Sequence, residues 1–242
     1  MRSRVCDNIT YGECKVGWFN SAVKLLKQRF KAPLPQSNYA FMHTFLTAGR
    51  VDKKQPMADL SLLVVDLEMT GLTAANNQIV SIGWVRIENL QIVHASARHV
   101  FINNTAVNLD ESAPIHKISH QQLATGEPQE VALQALLEAL TGKVLVLHHA
   151  PIDMRFLNAL SQQLYGVKLK PQIIDTMEIE RRRLSLKGQL QTSSLRLNEC
   201  RKRYNLPQYD AHNAAVDALA TAELLLAQVA YGGEGALTNY VR

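Results

Sequence analysis

The 242-residue chain has few of the features that mark secreted, membrane or zinc-finger proteins. Its three cysteines, Cys6, Cys14 and Cys200, are too few for a disulfide scaffold, and they lack the C-x-x-C spacing of a zinc site. It has no run of about 20 apolar residues, which argues against a membrane-spanning helix. The first 20 residues include basic ones but no apolar core of a signal peptide. We therefore expect a globular protein in the cytoplasm that makes no contact with a membrane.

Positive charge is concentrated at the N-terminus. Residues 1–58 hold ten Lys or Arg and three Asp or Glu, whereas the remaining residues hold sixteen and eighteen. A basic N-terminal part suits a polyanion such as nucleic acid, although an extension that serves only solubility would have the same composition. We place domain boundaries so that residues 1–57 form a basic extension, 58–233 the main domain and 234–242 a tail. An amphipathic helix is predicted over residues 20–31 of the extension.

The main domain begins with closely spaced strands and continues with alternating helices and strands. Apolar segments predict strands at residues 61–66, 79–87 and 91–101, a buried strand at 143–148 and a short one near 173–176. Helices are predicted at residues 130–140, 151–164 and 214–230. Residues 181–204 are basic and are predicted to be helical near their end. This order indicates an α/β domain with a mixed sheet, preceded by a mostly helical extension.

Two acidic residues stand at the end of the first predicted strand. Residues two apart on a strand point to the same face, so Asp66 and Glu68 should lie side by side. Two neighbouring carboxylates repel each other, and a hard divalent cation is the natural compensation. Taken alone, the pair is more commonly an exposed acidic strand end.

Two further acids and a histidine occur at positions that favour a site. Asp153 opens a helix directly after the buried strand, at the end of the sheet where sites usually lie. Asp217 lies in the Ala-rich last helix, and His212 precedes it. Each has an ordinary explanation: a first-turn acid favoured by the helix dipole for Asp153, outward exposure for Asp217, and a surface or core histidine for His212.

The set, taken in order, is far more specific than its members. It reads D-L-E after a strand, then H-H-A-x-x-D-x-x-F-L, then H-x-x-x-x-D at a helix start. This pattern resembles the DEDDh exonuclease family, the DnaQ-like group that contains the proofreading epsilon subunit of DNA polymerase III and ribonuclease T. The resemblance covers about residues 62–230. It implies a ribonuclease H-like fold, with a mixed five-stranded sheet flanked by helices.

The resemblance also implies the chemistry. Asp66, Glu68, Asp153 and Asp217 would converge to hold two Mg²⁺ or Mn²⁺ ions, and His212 would be the general base. The implied activity is 3′→5′ hydrolysis of single-stranded nucleic acid, with release of nucleoside 5′-monophosphates.

Three residues are candidates for contacts with the substrate. Met69 and Thr70 match positions that pack on the terminal nucleotide, and Phe156 could stack on a base, although a core role is favoured for it. A basic stretch could form a rim that faces phosphates or, equally, a charged helix face. It comprises Arg181, Arg182, Arg183, Arg196, Arg201, Lys202 and Arg203.

The substrate class stays open at this level. The string from Asp66 to Leu72 is more like oligoribonuclease, whereas His148-His149-Ala150 and His212-Asn213-Ala214 are more like the epsilon type. We favour DNA and a role in DNA repair. The alternatives are an RNA-trimming enzyme of the oligoribonuclease or ribonuclease T kind, a proofreading subunit of a DNA polymerase, and a non-catalytic nucleic-acid-binding relative. All four acids are retained, which argues against the last.

Overall fold

A computed structural model describes residues 36–103, 119–210, 212–232 and 235–241. The helix predicted at residues 20–31, most of the basic extension, Cys6 and Cys14 lie outside these residues.

Five strands form one mixed sheet in the described part of the chain. They are β1 (Ser61–Met69), β2 (Ile79–Glu88), β3 (Gln91–Phe101), β4 (Val144–Leu147) and β5 (Ile173–Asp175). The order across the sheet is β3-β2-β1-β4-β5, with β1, β2 and β3 antiparallel and with β4 and β5 parallel to β1. The predicted five-stranded mixed sheet is confirmed. The carboxyl ends of β1, β4 and β5 therefore meet at one edge.

Strand β1 lies at the centre and is buried on both faces. Because side chains alternate along a strand, Leu63 and Val65 point into one apolar cluster while Leu62 and Val64 point into the other. The even-numbered face also carries Ala222 and Leu225 of the last helix in its cluster. Continued to the end of β1, the same alternation directs residues 66 and 68 towards this helix.

Seven α-helices flank the sheet within the described residues. They are α1 (Gln36–Thr47), α2 (His120–Ala124), α3 (Gln129–Leu140), α4 (Ala150–Tyr165), α5 (Thr176–Leu186), α6 (Leu197–Lys202) and α7 (Ala214–Gly232). The helices predicted at 130–140, 151–164 and 214–230 are confirmed to within two residues. The sequence did not predict α5 as a separate helix, because α5 is mostly polar and lacks a clear helical repeat of apolar residues. The Asp175 side chain starts it by accepting from the amide of Met177 at 3.0 Å.

The described part of the extension packs on the main domain. Met42 of α1 is fully buried in the same cluster as Leu63, and the amide of Val51 donates to the side chain of Gln172 at 2.7 Å. The tail is also bound, since Leu237 donates its amide to the Gln55 carbonyl and Val241 bridges to β5. From residue 36 onwards these contacts join the extension and the tail to the main domain, and the boundaries at residues 57 and 233 stay a prediction.

Helix α7 corrects the expectation that no segment is apolar enough for a membrane. Among the described residues it has the length and composition of a membrane span, and 56% of its most apolar window is buried in the protein. It packs against β1 and β2 with small side chains, including the fully buried Ala214 and Ala218. In this structure α7 is thus a core helix of the domain.

Candidate active site

Three carboxylates meet where β1 ends and α7 begins. Ligand atoms of Asp66, Glu68 and Asp217 all lie within 4.8 Å of one another. Asp66 and Glu68 come from the even-numbered face of β1, and Asp217 comes from the first turn of α7. The period-2 alternation of a strand and the packing of α7 on that face account for the meeting.

A glycine permits this close approach of the helix. Gly83 of β2 pairs with Asp66 in the sheet, and a Cβ atom built on it would lie 2.1 Å from backbone atoms of Ala214. No side chain fits at that distance. The backbone of α7 therefore rests directly on β2 beside the acids.

Asp153 lies in the same cleft, at the first turn of α4. It is 7% exposed and lines the cleft together with the three clustered acids. The turn before it is held by Asp175, whose carboxylate accepts from the amides of His149 and Ala150, each at 3.0 Å. These bonds hold His149 in a left-handed conformation with φ of 75°. Asp175 thus positions Asp153 without belonging to the acid cluster.

The acids repel one another strongly. Burial raises the pKa of Asp66 well above its ordinary value, and the charges of Asp153, Asp217 and Glu68 raise it further. Burial likewise raises the pKa of Asp153 to about 7 and that of Asp217 in the same direction. A set of converging carboxylate oxygens with unfavourable mutual charge fits hard divalent cations such as Mg²⁺ or Mn²⁺.

His212 stands in the loop before α7, as the sequence predicts. Its backbone amide donates to Oδ2 of Asp217 at 2.8 Å, and its φ is 70°. Its exposed side chain lines the acid cleft. The bond to Asp217 ties the position of the histidine to that of the acid.

An ion pair between a buried arginine and a half-buried glutamate anchors the chain that leads to His212. Arg201 is fully buried and donates to the carboxylate of Glu223 on α7 and to the Pro207 carbonyl, each at 2.7 Å. Its guanidinium also lies 4.7 Å from the centre of the Tyr209 ring, whose hydroxyl donates to Glu223. Residues 207–209 are therefore fastened to α7 a few positions before the histidine.

The cleft has a volume of about 870 Å³ and includes both substrate contacts predicted at the end of β1. Met69 and Thr70 line it beside Leu72, an apolar side chain that is 72% exposed. The Thr70 hydroxyl is engaged in the turn that follows, donating to Asn77 and accepting from the Gln78 amide, each at 3.1 Å. Apolar surface at this rim comes from Met69 and Leu72.

Phe156 does not line this cleft. Its ring is 3% exposed and belongs to the core cluster around α3 and α4. A ring that stacks on a base needs an exposed face, so the stacking role is corrected to a core role. The helical period explains this, because Phe156 lies on the face of α4 that packs on the sheet.

Most residues of the predicted phosphate-facing rim form ion pairs with acidic residues of the protein itself. Arg201 is buried, and Arg183 and Arg203 both donate to the fully buried carboxylate of Glu180 at 2.6–3.0 Å. Lys202 pairs with Glu199. Of the predicted set, Arg196 alone lines the acid cleft, while Arg181 and Arg182 face a neighbouring cleft.

Two positioning residues were missed by sequence reasoning. Asp175 ends the short strand β5, an acid after a strand in the same context as Asp66, which was the available signal. His148 is held on both ring nitrogens, by the Thr176 hydroxyl at 2.8 Å and the Leu195 carbonyl at 2.9 Å. Burial lowers its pKa, so the neutral ring fits as donor to the carbonyl and acceptor from the hydroxyl.

Comparison with known proteins agrees with this arrangement. Residues 63–225 match the RNase_T family model, described as exonuclease. The PolC-type DNA polymerase III of Halalkalibacterium halodurans is 31% identical over 175 residues, which are 70% of this chain and 11% of that protein. The PolC-type polymerase of Thermotoga maritima is 29% identical over 168 residues, 69% of this chain and 12% of that protein. The chain thus spans about a tenth of these relatives.

Solved structures share the fold. Exonuclease X in complex with 5′ overhanging duplex DNA is 22% identical with a TM-score of 0.57, covering 72% of this chain and 95% of that one. Cell-death related nuclease 4 is 17% identical with a TM-score of 0.61, covering 73% and 66%.

Proposed function

Because the chain belongs to the exonuclease family, as a 3′→5′ exonuclease of the DEDDh type, we propose that it hydrolyses the 3′-terminal phosphodiester of single-stranded nucleic acid and releases nucleoside 5′-monophosphates. One observation carries the proposal: ligand atoms of Asp66, Glu68 and Asp217 lie within 4.8 Å of one another, in a cleft that Asp153 and His212 also line.

The acids would hold two divalent cations, Mg²⁺ or Mn²⁺. When bound, two such ions neutralise the phosphate, lower the pKa of a water and stabilise the leaving oxygen. The raised pKa values of Asp66, Asp153 and Asp217 support this, because each acid gains from positive charge placed among them.

His212 would act as the general base. An imidazole titrates near neutral pH and can take the proton of the attacking water, which leaves the hydroxyl to bond to phosphorus. The bond from phosphorus to the 3′-oxygen of the shortened strand breaks, and that oxygen takes up a proton. Met69 and Leu72 supply apolar surface at the rim for the terminal nucleotide.

DNA is the favoured substrate. The PolC-type relatives are DNA polymerases, and exonuclease X was solved with duplex DNA. The same relatives favour a second candidate function, which is proofreading for a DNA polymerase in DNA repair. In these relatives, the region that matches this chain is about a tenth of a DNA polymerase. The oligoribonuclease-like string from Asp66 to Leu72 keeps RNA trimming as the alternative. We expect the protein to work in the cytoplasm.

The test uses 5′-labelled DNA and RNA oligonucleotides of equal sequence, with Mg²⁺, Mn²⁺ or chelator. We expect stepwise shortening from the 3′ end, nucleoside 5′-monophosphate as product, faster rates on DNA, and no activity with chelator. Asp66→Asn should abolish hydrolysis, and His212→Ala should slow it by roughly 10²–10⁴-fold. Excision of a mismatched 3′ nucleotide faster than a matched one would support proofreading. Undiminished activity of Asp66→Asn would refute the acid assignment.

A further inference from the structure

A second cleft opens beside the acid cleft. It has a volume of about 680 Å³ and lies between the loop after α1, strand β5, helix α5 and the C-terminal residues. The two clefts share His149 and Met177 as lining residues. They therefore meet at the two junctions, β4–α4 and β5–α5, that Asp175 holds together.

A third cleft continues from the second. It has a volume of about 650 Å³ and shares Arg50, Pro171 and Gln172 with it. It is lined by Lys168 and Lys170, and none of the described residues that line it is acidic. The three clefts thus form a path that leads from the acids along the β5 edge of the sheet.

The path beyond the acids is positively charged. We call its six exposed cationic side chains the basic track: Arg50, Lys53, Lys168, Lys170, Arg181 and Arg182. Lys143 also lines the third cleft but is half-buried. Two acids line the second cleft, Asp175 and Glu178. The Asp175 carboxylate accepts hydrogen bonds from backbone amides. Carboxylate oxygens of Glu178 lie 3.3 Å from Nε of Arg181 and 3.3 Å from Nε of Arg182. Cations therefore outnumber acids along the path.

The track is held in place by the fold. Gln172 exchanges two hydrogen bonds with the backbone of Val51, at 2.7 and 2.8 Å, and Thr238 donates its amide to the Lys53 carbonyl at 2.7 Å. These bonds fasten the segment that bears Arg50 and Lys53 to the loop that bears Lys168 and Lys170. The positive charges are therefore set beside one another before any ligand binds.

We propose that the basic track binds the sugar-phosphate backbone of the substrate strand, several nucleotides before the 3′ end that enters the acid cleft. This inference rests on the proposed function. Exposed Lys and Arg side chains neutralise phosphates without reading sequence, so the contribution is electrostatic and depends on salt. The track would favour long single strands over short fragments and would leave the chemical step unchanged.

The test compares Lys168→Gln/Lys170→Gln with a matched control, Arg98→Gln/Lys187→Gln. Both double variants remove two exposed cations, but Arg98 is on β3 at the opposite edge of the sheet and neither control residue lines the path. The substrates are a 30-nucleotide single-stranded DNA and the p-nitrophenyl ester of thymidine 5′-monophosphate, which is too small to reach the track.

For the track variant, we expect KM on the 30-nucleotide strand to rise by about 10-fold while kcat is unchanged. The slope of log affinity against log salt concentration is negative, and its magnitude should decrease by about 1.4, or about 0.7 for each phosphate that is no longer neutralised. Hydrolysis of the small ester should not change, and the control variant should behave as the wild type. A track variant with wild-type KM and salt slope, or a control that changes equally, would overturn the proposal.

A measurement of binding without hydrolysis tests this inference independently of the proposed function. Fluorescence anisotropy of the labelled 30-nucleotide strand is measured on Asp66→Asn, with and without the track substitutions. If the wild type hydrolyses neither substrate, the proposed function fails. A reduced affinity and a shallower salt slope in the track background would still support the track, and equal affinity would reject it.

Discussion

A single methyl group at Gly83 should disable the site without touching any acid. In Gly83→Ala the new Cβ would lie 2.1 Å from the carbonyl carbon and oxygen of Ala214, whereas ordinary contact begins at 3.4 Å. One of the two elements must therefore move by about 1.3 Å. Strand β2 is hydrogen-bonded on both sides, to β1 and β3, so we expect helix α7 to retreat.

The retreat carries two site residues with it. Asp217 lies in the first turn of α7, and its carboxylate is bonded to the amide of His212. A misplacement of about 1 Å costs on the order of 10²-fold in rate. Overpacking at a close contact also costs about 1–3 kcal/mol of stability. We therefore expect Gly83→Ala to lose roughly 10²-fold in kcat while it remains folded at room temperature.

The assay is kcat on a 5′-labelled oligonucleotide, with thermal unfolding and calorimetric titration of Mn²⁺ on the same samples. Gly49→Ala is the matched control, because nothing lies within 4 Å of its new Cβ and its backbone is not left-handed. The control should keep wild-type rate and Mn²⁺ affinity. Wild-type kcat in Gly83→Ala would show that contact between α7 and β2 does not position the acids.

Two further substitutions test the electrostatics. The raised pKa of Asp153, from 3.8 to about 7, means that the metal-free folded protein binds more protons than the unfolded chain between these pH values, so stability falls as pH rises through this window. Asp153→Asn should remove a penalty of up to about 4 kcal/mol at pH 8 and little at pH 4, as thermal unfolding in chelator would show; equal gains at both pH values would contradict it. Glu223→Ala leaves the buried Arg201 unpaired and should cost about 3–5 kcal/mol in denaturant unfolding. Its control, Glu199→Ala, breaks an exposed pair and should cost at most about 1 kcal/mol; equal costs would contradict the role of burial.

Local periodicity was enough to predict the elements that carry the acids. The alternation in β1 places Asp66 and Glu68 on one face, and the apolar, Ala-rich pattern of α7 identifies a helix that packs on that face. The residues alone left outward exposure of Asp217 open, so the convergence of the carboxylates was expected from the family resemblance. Gly83 shows the limit: its sequence context indicates a strand, but only the approach of α7 reveals why a side chain is excluded there.

The basic stretch from Arg181 to Arg203 shows what local pattern cannot decide. Arg183 and Arg203 turn inward to the buried Glu180 and Arg201 to Glu223, because α5 and α6 pack on α7 with those faces. Which face packs is a tertiary outcome, and an inward charge does not reach a phosphate. The exposed cations instead come together from segments 120 residues apart, where Arg50 reaches the Lys170 carbonyl. Cationic side chains that can bind a ligand are therefore identified by their exposure in the folded protein, and not by their number along the chain.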